Sequence, residues 1–281
     1  MTEINSLPLF QVDSFADRPF VGNPAAVVPL EAWPSDPLLQ SIAAENNLAE
    51  TAFLVPAGDA HELRWFTPTV EVRLCGHATL AAAYVLVACL GHEAGAVRFD
   101  TRFSGRLTVT RDGDGRYWLD LPRHDCEPAA APASLLEAMG AGPADVRAGP
   151  NWLLRFEREA DVRALRPEMR LLAALPERGV IATAPGDDDG IDFVSRYFAP
   201  NFGVDEDPVT GSAHCMLAPY WAAELGKTAL RARQISARGG ELWCEPDGER
   251  VRVGGHAMLY LTGEIHLPSA ANHRGAQRRT E

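Results

Sequence analysis

One pattern occurs twice along this chain, and that repetition constrains the fold more than any other feature. Arg64-Trp65-Phe66-Thr67-Pro68 is echoed by Arg196-Tyr197-Phe198-Ala199-Pro200. Each is an alternating, aromatic-rich strand signal halted by proline, which has no N–H to offer a ladder. An acidic stretch follows each, Glu71-Val72-Arg73 in one copy and Asp205-Glu206-Asp207 in the other. Both copies then reach a glycine that opens an apolar segment. The first reads Gly76-His77-Ala78-Thr79-Leu80 and runs to Leu90-Gly91; the second reads Gly211-Ser212-Ala213-His214-Cys215 and runs to Leu225-Gly226. So many landmarks in one order predict a two-fold internal repeat.

Both apolar segments predict helices, rich in Ala and Leu and closed by Gly91 and Gly226. Ala78 to Leu90 is apolar on nearly every face, the mark of a buried helix. Pro219 predicts a kink or early irregularity in the second. The remainder reads as short strands, among them Phe10–Phe15, Ala26–Val28, Ala52–Val55, Arg106–Thr110, Tyr117–Leu121, Val180–Thr183, Val251–Val253 and Leu259–Ile265. Asp112-Gly113 and Asp247-Gly248 are hairpin signatures. The expected fold class is α+β: two pseudo-symmetric halves, each a rolled, mainly antiparallel, barrel-like sheet around one central helix. The join falls within Pro122–Asn151, rich in Ala, Pro and Gly, which gives halves of 1–125 and 126–267. The C-terminal strand is free to cross to the first half, and 268–281, poor in apolar residues, is expected to fray.

Composition narrows the partners. A formal charge of −12 argues against nucleic acid, whose phosphates need clustered basic residues. No apolar run approaches the roughly 20 residues that span a bilayer, and no basic-then-apolar leader opens the chain, so a cytoplasmic location is expected. Lys227 is the only lysine, so Schiff-base chemistry would rest on it alone. Five cysteines, Cys75, Cys89, Cys126, Cys215 and Cys244, are scattered without a Cys-x-x-Cys pair. That predicts neither a disulfide framework nor a structural zinc site, with four of the five as buried apolar groups.

The repeat also says where chemistry can gather. Two equivalent halves bring two equivalent helix starts face to face across a cleft. A helix start carries unpaired N–H groups and about half a positive charge. Two starts converging make an anion site without lysine or arginine. Small residues at Gly76, Ala78, Gly211 and Ala213 would admit a ligand close to the backbone. Beside the starts stand Cys75 and His77 in one half, and Asp207, Thr210, Ser212 and His214 in the other. Glu50 lies just ahead of an apolar strand. Taken singly, Glu50 reads as a solvated strand-edge carboxylate or a base, His77 as a cap or an acid–base group, and Asp207 as a turn former before Pro208 or a second carboxylate.

Five segments resemble the phenazine-biosynthesis (PhzF-like) isomerases, which share the fold of diaminopimelate epimerase. They are Val12-Asp13-Ser14-Phe15; Phe20-Val21-Gly22-Asn23-Pro24-Ala25-Ala26-Val27; Asn47-Leu48-Ala49-Glu50-Thr51-Ala52-Phe53; Phe66-Thr67-Pro68 with Leu74-Cys75-Gly76-His77-Ala78-Thr79; and the run from Gly203 to His214. The resemblance implies an acid/base glutamate at Glu50, a supporting histidine at His77, and the family's aspartate and serine at Asp207 and Ser212. The family's Leu-Ser-Glu reads Leu48-Ala49-Glu50 here. Asn23, Cys75, Gly76, Ala78, Thr210, Gly211 and Ala213 are then expected to contact substrate. The implied activity is a cofactor-independent proton shift on a small acidic, cyclic, unsaturated amino-acid-like metabolite, carried out by a homodimer. For Glu50 both to take and return a proton, its pocket would have to be dry or beside another carboxylate.

Three other readings share these residues. A two-base racemase or epimerase on the same fold would face thiol against thiol, but Thr210 stands where the second would be. A metal hydrolase would draw on His77, His214, Asp207 and Glu50, without a His-x-x-x-His spacing to support it. A catalytically silent member would keep the cleft and bind a small acid. No Gly-x-Gly-x-x-Gly follows a strand and no phosphate loop is present, so no nucleotide cofactor, and no metal, is expected.

Overall fold

The computed structural model describes residues 6–93, 95–175 and 178–267; the tail expected to fray, 268–281, lies outside the described residues. The first stretch holds β1 (Ser6–Ser14), β2 (Asn23–Pro29), α1 (Asp36–Asn46), β3 (Glu50–Ala57), β4 (Ala60–Phe66), β5 (Glu71–Val72), α2 (Gly76–Tyr84), β6 (Ala96–Thr101), β7 (Gly105–Arg111) and β8 (Tyr117–Pro122). The second holds β9 (Glu127–Pro128), α3 (Ala133–Met139), β10 (Asp145–Ala148), β11 (Trp152–Arg155), α4 (Glu159–Ala164), α5 (Met169–Ala173), β12 (Val180–Pro185) and β13 (Phe193–Ala199). It continues with β14 (Val204–Asp207), α6 (His214–Leu225), β15 (Leu230–Gln234), β16 (Gly240–Asp247), β17 (Arg250–Gly255) and β18 (Ala257–His266).

The same series of pairings occurs twice. In the first, β2 runs parallel to β3, β3 antiparallel to β4, β4 antiparallel to β5 and parallel to β6, and β6, β7 and β8 follow as antiparallel neighbours. In the second, β11 is parallel to β12, β12 antiparallel to β13, β13 antiparallel to β14 and parallel to β15, and β15, β16 and β17 follow antiparallel. β8 pairs with β17 and joins the two series. The last strand, β18, returns to pair with β1. The sheet is therefore mixed. The expected barrel-like closure is corrected: among the described residues no pairing joins the two ends of either series, and the strands form one continuous open ribbon.

Each series packs on a central helix. α2 touches β1, β2, β3, β7 and β8, and all of its residues but the last, Tyr84, are buried. α6 packs on β15, β16 and β17. The strands alternate between this core and an outer one. On β3, Ala52 and Leu54 face α2, while Phe53 and Val55 face α1 through Leu39 and Ile42. On β12, Ile181 faces the central core, and Val180, Ala182 and Ala184 face the layer of α3, α4 and α5. Strands buried on both faces lose the polar half of their alternation, which is why they read as near-continuous apolar runs. The sequence reading placed one helix in each half. The outer helices are additional, and α3, α4 and α5 are only 7, 6 and 5 residues long, too short to carry a 3.6-residue period.

Two helix expectations need correction. The first apolar helix does not run unbroken to Leu90: α2 ends at Tyr84 and continues as a π-helical turn over Val85–Cys89, in which Leu90 N–H bonds the Val85 carbonyl. Pro219 sits inside α6 without ending it. The carbonyl its missing N–H would have bonded, that of Cys215, accepts from His124 N–H at 3.0 Å instead. Irregularity falls earlier, where Gly211–Ala213 form a 3₁₀ turn ahead of α6. Among the cysteines, only Cys75, Cys215 and Cys244 are buried; Cys89 and Cys126 are half-buried.

The repeated Arg-x-Phe strands explain the acidic stretches. Arg64 holds Glu71 through both carboxylate oxygens at 2.7 and 2.8 Å, and Arg196 holds Glu206 in the same way at 2.7 and 2.9 Å. Arg196 also donates to the Val162 and Leu165 carbonyls, tying α4 to the sheet. Replacing Arg196 with Met should cost roughly 3–5 kcal/mol, because Glu206 and two carbonyls lose their partner in a site with little water. Arg106→Met, at a pair with Asp100 that is nearly half exposed and screened by water, should cost far less. Urea unfolding of the two variants measures the difference; equal costs would contradict this account.

Candidate active site

The two central helices meet at their N-terminal ends. A Cβ built on Gly76 would lie 3.9 Å from Gly211 Cα and 3.9 Å from Ser212 N. A Cβ at Gly76 would make only ordinary contact there, whereas one at Gly211 would press on the Phe15 ring at 3.3 Å. Neither end is closed by an oxygen cap: Cys75 and Thr210 occupy the cap positions, and the Thr210 hydroxyl is turned to Asp207 Oδ2. First-turn N–H groups of both helices therefore converge, as the repeat predicts.

Glu50 opens β3, and that strand's pairing with β2 and β4 delivers it beside α2. Its Oε2 lies 3.2 Å from His77 Nε2, with Glu50 18% and His77 6% exposed. The separation is that of an ion pair, yet the atoms are not aligned for a hydrogen bond, and both are buried without another partner. We read them as a charge pair whose hydrogen-bonding capacity remains available to a third group. On the other side of the ring, Nδ1 lies 3.5 Å from Cys75 Sγ. Ser14 Oγ donates to the His77 carbonyl at 2.8 Å and fixes the start of α2.

Asn23 links the two helix ends. Its Nδ2 donates to Asp207 Oδ1 at 2.8 Å and to the Val209 carbonyl at 2.9 Å, and lies 3.2 Å from His77 Nδ1. Two hydrogens serve the two oxygens, which leaves His77 Nδ1 to the thiol. Asn23 Oδ1 is buried and unpartnered. Gln234, absent from the sequence reading, completes the second end: it accepts from Thr210 N at 2.8 Å and donates to the Asp207 carbonyl at 2.7 Å. A lone glutamine in a strand gives no sequence signal. Phe15 was equally unmarked, although its ring lies against Gly211.

Electrostatics differ on the two sides. Burial works against a proton on His77, but Cys75 and the Glu50 carboxylate outweigh it and raise its pKa well above the usual imidazole value. The Cys75 thiol is itself pushed up to about 11, by burial first and then by the Glu50 charge, so near pH 7 it acts on His77 through the hydrogen bond at Nδ1, beside the Glu50 charge. Burial raises Asp207, opposed by His77 and by donors from Thr210 and Asn23, with Glu50 raising it further.

The other expected residues fall into two groups. Gly76, Gly211 and Thr210 stand at the contact. Ala78 and Ala213 are fully buried in the core and present no surface to a ligand. Ser212 is corrected in part: its backbone N lies at the contact, but its residue is exposed and its hydroxyl bonds none of Glu50, His77 or Asp207. His214 turns away, with Nδ1 on the Thr210 carbonyl at 2.9 Å and its ring against Phe193. That removes it from the four-residue metal set. Glu50, Cys75 and His77 do offer donor atoms within 4.8 Å of one another. The thiol, however, sits on Nδ1 and the carboxylate faces Nε2.

Strand register shows which residues of the second series stand at the positions of Glu50 and Asn23. Aligning Thr51↔Phe66 with Val180↔Phe198 puts Gly179 where Glu50 stands. Aligning Ala26↔Thr51 with Trp152↔Val180 puts Gly149-Pro150 where Asn23-Pro24 stand. Both glycine positions are closed: a Cβ at Gly179 would lie 2.2 Å from Tyr197 Oη, and one at Gly149 2.7 Å from the Asp125 carbonyl. Asp207, equivalent to Val72, is what that half contributes. Cavities of about 680 Å³ near Met139 and Phe156, and about 540 Å³ near Arg238 and Trp243, are not lined by Glu50 or His77, so the candidate site is placed by its side chains.

A mixed α+β sheet surrounds two helices whose starts bring together a carboxylate, an imidazole and a thiol, three groups able to exchange protons. Residues 12–263 match the PhzC-PhzF family of phenazine biosynthesis-like proteins, and the chain belongs to that family. It is 54% identical over 261 residues to an uncharacterized isomerase of Pseudomonas aeruginosa, covering 93% of this chain and 99% of that protein. A crystal structure of a PhzF-family protein from Enterococcus faecalis is 43% identical, covers 93% of this chain and all of the other, and superposes with a TM-score of 0.90. A hydroxyproline epimerase from Agrobacterium vitis, 12% identical with a TM-score of 0.61 over 96% of this chain and 94% of its own, shares the fold.

His214 generates a pH prediction. Burial pushes it down to about 4, against its bond to Thr210. An unfolded histidine titrates near 6.5, so between about 4 and 6.5 the unfolded chain holds a proton that the folded chain does not, and stability falls as pH drops through that window. The full effect is about 3 kcal/mol. His77 acts with the opposite sign: its raised pKa adds stability below about 6.5 that is lost as pH rises through the folded value. In urea titrations from pH 7 to 4, His214→Asn should show a slope reduced by about that amount. An unchanged slope would show that His214 does not set this dependence.

Proposed function

We propose that this chain is a cofactor-independent isomerase that moves a proton on a small carboxylate-bearing, cyclic, unsaturated amino-acid-like metabolite, with Glu50 as the acid/base. The observation that carries the reading is the buried face-to-face placement of Glu50 Oε2 and His77 Nε2, unaligned and otherwise unpartnered, beside two uncapped helix ends. The isomerase name of the Pseudomonas aeruginosa relative supports it. The repeated series of strand pairings supports two pseudo-symmetric halves of the diaminopimelate epimerase type. A homodimer in the cytoplasm belongs to the same reading, with no nucleic-acid or membrane partner. Among the described residues no helix is long and apolar enough to cross a membrane.

The substrate's carboxylate sits on the first-turn N–H groups of Gly76 and His77 and of Gly211 and Ser212, which hold negative charge without a basic side chain. Glu50 takes a proton from a ring carbon next to the conjugated system. The electron pair left behind delocalises along that system, and Glu50 returns the same proton at a carbon further along. No atom is gained or lost, and no electron leaves the substrate. His77, protonated opposite Glu50, stabilises the charge that develops between the two transfers. Asp207, enclosed with its pKa raised, takes the substrate's N–H or hydroxyl. The Ser212 hydroxyl, turned outward, reaches the substrate only from the open side.

A racemase on the same fold is the second reading, and Cys75 against the His77 ring is the observation in its favour. Its thiol is protonated near pH 7, and Thr210 opposite offers no second base. One screen separates the two. Incubated in deuterium oxide with cyclic unsaturated amino acids, the protein should wash deuterium into a ring carbon. Glu50→Gln should lower that rate roughly 10²–10⁴-fold with fold and ligand binding kept. Cys75→Ser should retain most of it. Exchange that survives Glu50→Gln but vanishes in Cys75→Ser would sink the glutamate reading and install the thiol.

A further inference from the structure

The loop between β1 and β2 is held in an uncommon conformation. Phe15 and Phe20 have φ of 59° and 72°, and among the described residues only Asn47 is another non-glycine with positive φ. Positive φ is rare for a bulky side chain and costs on the order of a kilocalorie or more unless neighbours impose it. Gly22 follows at φ 75°, where a Cβ would lie 2.2 Å from the Ser14 carbonyl oxygen. The next residue is Asn23, the amide that reaches Asp207 and Val209. Strain is therefore concentrated in the segment that delivers one side chain to the candidate site.

What imposes the strain comes from the other half of the chain. Arg238, in the turn between β15 and β16, donates Nε–H to the Gly22 carbonyl at 2.9 Å and a second nitrogen to Asp13 Oδ1 at 2.9 Å and the Val21 carbonyl at 3.2 Å. Asp13 is 2% exposed and its other oxygen accepts from Phe20 N at 3.2 Å. Gly22 N–H bonds the Gly239 carbonyl at 2.6 Å. The polar ties at Phe20–Gly22 thus run through Arg238, its neighbour Gly239 or its partner Asp13, while the Phe15 end is held separately by Glu241 N–H on the Phe15 carbonyl at 3.3 Å and by Ala16 N–H on the His256 carbonyl at 3.1 Å. A planar fork with charge at its centre suits this task, because it holds two carbonyls and a carboxylate at fixed angles.

We infer that Arg238, through its half-buried pair with Asp13, is a positioning residue: it holds the Phe20–Gly22 end of the loop in its strained form so that the Asn23 amide bridges Asp207 and the Val209 carbonyl against the His77 ring. It touches neither reacting group. The inference rests on the geometry of the candidate site and not on the reaction assigned to Glu50, so its test needs no substrate.

The test follows the His77 ring and the Asn23 side-chain amide by NMR across pH. Asn23→Ala fixes the reference shift of the His77 titration midpoint. Arg238→Met and Asp13→Asn should each move it in the same direction, by more than about half a pH unit. The double variant Asn23→Ala with Arg238→Met should move it no further than Asn23→Ala alone. The Asn23 NH₂ signals should lose their solvent protection in Arg238→Met. Should Arg238→Met not fold, Arg238→Gly with millimolar ethylguanidinium keeps the question open to measurement. The cavity of about 540 Å³ that Arg238 lines beside Phe15 and Val21 gives that ion a route. Restoration of both the melting temperature and the His77 midpoint by ethylguanidinium supports the inference. A variant or rescue that changes the melting temperature while the His77 midpoint and Asn23 protection stay wild-type overturns it, and so does additivity in the double variant.

Discussion

The contact between the starts of α2 and α6 is the constraint on which the rest depends. Two helix ends with unpaired N–H groups repel one another electrostatically and leave donors unsatisfied in a dry interior. Here they approach until Gly76 and Gly211 nearly touch, and no oxygen cap relieves either end. What makes the approach tolerable is the negative charge around it: Glu50 at one end and Asp207 at the other, with the Asn23 amide between. The same charges are what an acid–base site requires. Stability and chemistry are drawn from one set of groups.

That site lies between two similar series of strand pairings that differ where the chemically able residues stand. The bidentate Arg64–Glu71 and Arg196–Glu206 pairs are equivalent, as are the bonds of Thr79 and His214 back to the carbonyls of Cys75 and Thr210. These do structural work and are repeated. Glu50, Asn23 and Cys75 have no counterpart of similar chemistry: Gly179, Gly149 and Thr210 stand in their places. Two identical halves would place two glutamates side by side in a dry site, where like charges oppose ionisation. Here one glutamate and one aspartate stand in unlike surroundings, with His77 beside the first and Asn23 bonded to the second.

Much of this was legible beforehand. Repeated landmarks gave the two central helices and the strands around them, because helix-opening glycines and proline-stopped aromatic strands are local signals. The outer helices were not legible, since five to seven residues are too few for a period to emerge. Ala78 and Ala213 were expected to meet a ligand for their small size, but small residues also let a helix pack tightly, and both are core. Ser212 was carried over with its motif, yet the 3₁₀ turn ahead of α6 directs it outward. The kink expected at Pro219 was compensated by His124, ninety-five residues upstream, which no local pattern foretells.

The sequence by itself determined the repeated landmarks and the paired helix starts, because each is written in neighbouring residues, while Glu50 and His77 were singled out by the family resemblance. Tertiary structure alone decided that His77 lies between Glu50 and Cys75, that Asn23 spans to Asp207, and that Arg238 grips the loop before it. Those contacts join residues 184 and 225 positions apart in the cases of Asn23–Asp207 and Asp13–Arg238. They exist only once β8 has paired with β17 and β18 with β1, when burial removes the water that would otherwise screen each charge from the next.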